Sequence, residues 1–216
     1  MSRVCVIGAG LGGLALAIRL QSSGVETTLI EAHERPGGHS WSRAHDGFTF
    51  DFGPAALADP AAFAELWQLS GGDISEDIKL LPLELLHRYN WPDGAAIDMA
   101  GGPDDSGAAM RREVARVAPD DAAGYEEFLR WSQQALRDGA TPWLSAPRRD
   151  LVSLARSAPM LARHQAWRSA HGIVGGFMKS PKLREAISVS ALADGANPFG
   201  ASAFHALSHK RELDSG

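Results

Sequence analysis

Three glycines in Val4-Cys5-Val6-Ile7-Gly8-Ala9-Gly10-Leu11-Gly12-Gly13-Leu14 are spaced for phosphate chemistry. Gly8 permits a tight turn out of a strand. Gly10 lets the backbone approach a pyrophosphate, and Gly13 lets a following helix pack closely on that strand, with its N-terminal N–H groups aimed at the phosphates. Gly12 lies inside the same turn. A carboxylate, Glu31, ends a second apolar run, Thr27-Thr28-Leu29-Ile30, at the distance expected for an acceptor of ribose hydroxyls. An acid at that place suits an unphosphorylated ribose, so NAD or FAD rather than NADP. The elements needed to hold these groups are a strand, a glycine turn, a helix over Leu14 to Gln21 with Gly24 at its C-cap, and a second strand.

A second glycine turn follows at once: Arg35-Pro36-Gly37-Gly38-His39-Ser40-Trp41-Ser42, then a hairpin-like run, Gly47-Phe48-Thr49-Phe50-Asp51-Phe52-Gly53-Pro54. At these residues the chain resembles the flavin-dependent amine oxidase and carotenoid desaturase superfamily. Its members follow the ribose-binding glutamate with Arg-x-Gly-Gly-Arg-x-x-Ser/Thr and then Asp-x-Gly-Pro. Arg35, Gly37, Gly38 and Ser42 match the first pattern, and Asp51, Gly53 and Pro54 match the second. His39 stands where the family has arginine; histidine is shorter and carries no fixed charge. Further stretches narrow the resemblance to bacterial phytoene desaturases: Tyr125 through Trp131, Gln165-Ala166-Trp167-Arg168-Ser169, Leu183-Arg184-Glu185-Ala186 and Gly195-Ala196-Asn197-Pro198-Phe199.

That resemblance implies an α/β chain: an FAD-binding Rossmann-like domain of the glutathione-reductase type, then a mostly helical substrate domain, both incomplete here because the family is more than twice as long. It implies FAD as cofactor, held by Gly8, Gly10, Gly12, Gly13, Glu31, Arg35, Gly37, Gly38 and His39. The implied activity is desaturation of phytoene in carotenoid biosynthesis, by hydride transfer from an allylic carbon to flavin, with this length of chain alone expected to be inactive. Two other readings stand beside it: a different flavin oxidoreductase of the superfamily, and a non-catalytic nucleotide-binding fragment.

The local signals divide the chain into residues 1–87 and 88–216. A helix is expected from Pro60 to Leu69, ended by Gly71-Gly72, and a strand pair over Leu85 to Trp91 and Ala95 to Met99 around the turn Pro92-Asp93-Gly94. Beyond Gly101-Gly102-Pro103 the pattern is helical: Ala108 to Val117, then Asp121 to Arg137 with Asp120 or Asp121 as N-cap, then segments near 150–157, 160–177 and 181–192.

With 216 residues and a formal charge of −5, the composition is that of a globular chain whose main partner is not nucleic acid. The single cysteine, Cys5, is expected as a buried apolar filler; its being alone excludes an intrachain disulfide and suits a cytoplasmic location. No stretch of eighteen apolar residues is present. Between Pro142 and Arg184, eight Arg and Lys side chains face one acid, Asp150, and are interleaved with Trp143, Leu151, Leu154 and Trp167. Such a stretch can be a peripheral docking face on the cytoplasmic membrane, the source of an oily substrate, or a solvated helix face over a core. Asp150, after Arg149, is the candidate acid–base residue, or else a helix N-cap. His205 and His209 share a helical face, but no third ligand accompanies them, so no metal site is expected.

Overall fold

Short runs of apolar and β-branched residues, each ended by a turn former, make β1 (Arg3–Ile7) and β2 (Glu26–Ile30). The two strands pair in parallel, with Arg3 opposite Glu26 and Ile7 opposite Ile30. Parallel partners need a crossover, and α1 (Leu11–Ser22) provides it. Gly24, at φ +78°, turns the chain out of α1. There the Gly24 and Val25 N–H groups donate to the Gln21 and Leu20 carbonyls. This is a computed structural model, and it describes residues 3–53, 57, 59–101, 107–145 and 151–215. It divides into two compact units, Met1–Leu81 and Pro82–Gly216.

The first unit continues with an antiparallel hairpin, β3 (Trp41–His45) and β4 (Phe48–Phe52). Its two-residue turn, Asp46-Gly47, has both φ angles positive (50° and 80°), the twist that a tight hairpin favours. Then α2 (Pro60–Leu69) starts on an Asp59 cap accepting from the Ala62 N–H, with proline at the first helical position. Arg19 of α1 reaches Glu65 of α2 at 2.7 Å. Few apolar side chains are buried here: among the described residues of this unit, Val6 and Ala9. Ile7, Ile30, Phe48 and Phe50 are exposed. Cys5 is exposed too, contrary to the buried filler expected, because among the described residues β1 has β2 as its one neighbouring strand and the face bearing Cys5 is uncovered.

The second unit opens with the antiparallel pair β5 (Leu85–Asn90) and β6 (Ala96–Ala100), so the chain divides ahead of this pair rather than inside it. Helices follow: α3 (Ala108–Val117), α4 (Ala122–Arg137), α5 (Ala140–Ser145), α6 (Leu151–Arg163), α7 (Ala170–Phe177), α8 (Pro181–Ser188) and α9 (Leu207–Ser215). Met110, Tyr125, Phe128, Ile173, Met178, Leu183 and Ile187 form one core, and Phe204 and Leu207 the centre of a smaller one. α4 and α7 approach so closely that a Cβ on Gly124 would lie 1.9 Å from the Phe177 carbonyl oxygen.

Two expectations change in this unit, and His209 finds its place in the core. The helix anticipated over 160–177 is broken: α6 ends at Arg163, Gln165 takes φ +52°, and α7 restarts on a Ser169 cap. Asp121 is the N-cap residue of α4, as expected, but its side chain makes no cap hydrogen bond. Its buried carboxylate instead accepts from the Lys179 and Ser180 N–H groups at 2.8 and 2.7 Å, tying α4 to the start of α8. His209 is buried with its ring nitrogen 2.9 Å from the Tyr125 hydroxyl, as a core group.

Candidate dinucleotide site

The turn from β1 into α1 is built by close approaches that side chains would prevent. Gly8 takes φ +97°, a region L side chains rarely adopt, and its N–H donates to the Ile30 carbonyl at 2.7 Å. A Cβ on Gly13 would fall 1.9 Å from the Gly8 oxygen and 3.6 Å from Val6 Cγ1, so α1 can lean on the turn only through glycine. Gly10 is the N-cap residue of α1 and supplies no side-chain cap, and no acid stands in the first turn. The leading N–H groups of α1 therefore keep their donor capacity and the positive end of the helix dipole. Around Gly12 a Cβ would meet open space, so local sterics do not require glycine there.

The second glycine turn docks on the first. Gly10 and Gly37 form a parallel bridge, and the Gly37 N–H donates to the Ala9 carbonyl at 2.8 Å. A Cβ on Gly38 would come within 3.0 Å of Gly10 Cα. Gly37 and Gly38 both take positive φ, 123° and 60°. The two motifs are thus one structure: the first glycine turn is backed by the turn that follows the acid.

Glu31 stands immediately after β2, beside this junction. Its carboxylate accepts from the Ala9 N–H at 2.6 Å and from the His33 N–H at 2.9 Å. Those two donors, His33 first, hold the carboxyl below the usual carboxylate range, so it is an anion and an acceptor at neutral pH. Next to it opens a cavity of about 550 Å³, lined by Ala32, His33, Glu34, Arg35, Pro36, Gly38 and Trp41. That is ample for a purine base and sugar. Arg35 lines the cavity, while His39 is exposed just beyond it.

Two residues belong to this neighbourhood beyond the cofactor-binding residues expected from the sequence. Trp41, stacked on Phe52 at 4.5 Å, forms a wall of the cavity. Gly53, at φ +99°, packs under the second turn, where a Cβ would lie 2.8 Å from the His39 carbonyl oxygen. Gly53 was visible as part of the Asp-x-Gly-Pro match; Trp41 carried no signal beyond being aromatic. Ala9 contributes through its backbone alone, which no side-chain pattern encodes. Asp150 and Pro54 lie outside the described residues. Among the described residues no cluster of His, Cys, Asp or Glu is arranged to hold a metal ion, and no helix is long and apolar enough to cross a membrane.

Residues 6–70 match a family model described as an NAD(P)-binding Rossmann-like domain. Over 98% of its length the chain is 40% identical to a lycopene-forming phytoene desaturase of Paracoccus sp., covering 41% of that protein. It is 36% identical over its full length to the lycopene-forming phytoene desaturase of Pantoea ananas, covering 43%, and 34% identical over 99% to the neurosporene-forming enzyme of Cereibacter sphaeroides, covering 40%. Its fold is similar to that of putrescine oxidase. A triple mutant of that protein superposes with a TM-score of 0.58 at 21% identity, over 95% of this chain and 40% of the oxidase, and the wild type bound to putrescine with a TM-score of 0.53. The chain is a homologue of the phytoene desaturases and spans about two-fifths of the length of the relatives it matches.

Proposed function

We propose that this chain is the FAD-binding portion and the beginning of the substrate domain of a phytoene desaturase, and that these residues alone bind the ADP portion of FAD without sustaining turnover. The observation that carries this reading is the doubled glycine turn closed on Glu31, set in a chain similar to phytoene desaturases from end to end. The glycine cradle and the free N–H groups of α1 would receive the pyrophosphate, Glu31 the ribose, and the cavity beside Arg35 and Trp41 the adenine. Flavin, when bound, accepts a hydride from carbon. The tasks of this chain are to orient that group, exclude water from it and begin a hydrophobic path for the polyene.

Titrating the 216-residue chain with FAD, with Glu31→Ala as control, tests the cofactor assignment. Saturable binding weakened in the variant supports it, and equal binding in both removes it. Conversion of phytoene by a complete protein containing this chain tests the substrate; oxidation of an amine but no carotenoid would favour the second reading, another flavin oxidoreductase with the putrescine oxidase fold. The acid–base role of Asp150 fails if Asp150→Asn leaves desaturation unchanged.

The reading extends to location: cytoplasmic, resting on the membrane that dissolves the substrate. Leu151, Val152 and Leu154 of α6 and nearby Trp167 are exposed, among Arg156 and Arg163. Apolar side chains mixed with cations suit an interfacial face. Loss of vesicle binding in Leu151→Ser/Leu154→Ser is the expected result.

A further inference from the structure

The wall of the cavity beside Glu31 is mixed in chemistry. His33, Glu34 and Arg35 bring polar side chains to it, while Ala32, Pro36 and Gly38 bring small ones. The one broad apolar surface in that wall is the indole of Trp41. Trp41 heads β3 directly opposite Phe52, the last residue of β4. Side chains directly opposite in an antiparallel pair share one face of the hairpin. Their rings lie 4.5 Å apart at an interplanar angle of 10°, a parallel stack. Phe52 thus covers one face of the indole. Trp41 is still 40% exposed, and among the described residues Phe52 is its one ring partner.

Backbone links fix this plate relative to the glycine turns. The Gly37 N–H donates to the Ala9 carbonyl, and the Ser40 N–H donates to the Gly37 carbonyl at 3.0 Å. Gly37 itself is irreplaceable in that turn, since a Cβ there would fall 2.6 Å from the Ser40 oxygen. On the other strand, Gly53 follows Phe52 and packs against the His39 carbonyl and Ser40. The indole is therefore set at a defined distance from the first turn before any ligand enters, and its ordering cost is met in folding. Phosphates need N–H donors and a ribose needs hydroxyl partners. A flat apolar plate serves neither, and it serves a heteroaromatic ring well.

We propose that Trp41, propped by Phe52, is the stacking plate for a purine base, so that this cavity selects a purine nucleotide over phosphates alone. The proposal rests on the dinucleotide reading of the glycine turns and goes beyond it by assigning recognition of the base to one side chain.

The test is a calorimetric titration of the 216-residue chain with ADP and, separately, with inorganic pyrophosphate. Trp41→Ala should weaken ADP about tenfold, the effect of losing one base–aromatic stack, and leave pyrophosphate unchanged. Trp41→Phe should keep most of the ADP affinity. Trp41→Leu, apolar but without a π face, should bind ADP as weakly as Trp41→Ala. Circular dichroism checks that each variant folds, and the Phe and Leu variants decide the matter if Trp41→Ala does not. Equal ADP affinity in wild type and Trp41→Leu overturns the proposal and leaves the dinucleotide reading standing. Parallel loss of ADP and pyrophosphate in Trp41→Leu also overturns it, because the residue then acts through the turn rather than on the base. Failure of the wild type to bind either ligand overturns the proposal and the reading together.

Discussion

The first unit is built from backbone and the second from side chains. Between Arg3 and Leu81 the structure depends on where carbonyls, N–H groups and glycine Cα atoms meet, and among the described residues Val6 and Ala9 are the apolar ones buried there. Beyond Pro82, large side chains such as Tyr125, Phe128, Met178 and Phe204 are sealed from solvent. The glycine turns, the proposed nucleotide cradle, therefore have little core of their own, while the helical unit has a core of large side chains. Backbone geometry suits a ligand such as pyrophosphate, which needs donors at fixed positions more than it needs shape.

That contrast can be broken most severely at Phe128. Phe128→Ala should cost the second unit about 3–5 kcal/mol, read from the urea midpoint, while leaving FAD affinity of the folded chain within a few-fold. Equal losses of both would show that the units do not divide as described. Gly13→Ala is the mirror experiment. With a Cβ 1.9 Å from the Gly8 oxygen, α1 must shift off the turn. FAD binding should weaken by about a hundredfold, equivalent to about 2.7 kcal/mol, with the second unit's unfolding unchanged.

Acid offers a gentler probe. Burial pushes His209 down to about 3, so in the folded chain it is neutral where an unfolded histidine already takes up a proton. Its stability contribution is therefore complete above about pH 6.5 and declines as pH falls toward 3, at no more than about 1.4 kcal/mol per pH unit. Thermal melts of wild type and His209→Gln across that range should converge at low pH; parallel curves would assign the slope to other groups. The smallest effect is expected at Glu31. Glu31→Ala should weaken FAD by about tenfold, the value of one charge-assisted hydrogen bond, without measurable change in the urea midpoint of the second unit.

What could be read from sequence follows the range over which the information is stored. The β1 turn, α2 from Pro60 to Leu69 and the Pro92-Asp93-Gly94 turn are all encoded by residues within a few positions of one another, and all were legible; the hairpin-like run expected over 47–54 is only the second strand, Phe48–Phe52, of a hairpin that begins at Trp41. Asp121 was legible as an acid before a helix, but its two donors come from Lys179 and Ser180, far along the chain. The break at Gln165 has no local signature, because its positive φ is imposed by the turn between α6 and α7 rather than favoured by glutamine. Cys5 was misread for the complementary reason: a strand's residues reveal its alternation, but not what covers each face.

Glu31 has a consequence for how a nucleotide arrives. Its carboxylate is already bound at both oxygens, to the loop at Ala9 and to the turn at His33. If the proposed assignment holds, a ribose would meet an acceptor frozen in place, and its hydroxyls would exchange partners with it rather than recruit a wandering side chain. The ordering entropy of the cradle is spent during folding, so association would resemble a key meeting a finished lock. Protection of the Ala9 amide from hydrogen exchange would be the signature of that readiness before any ligand is added.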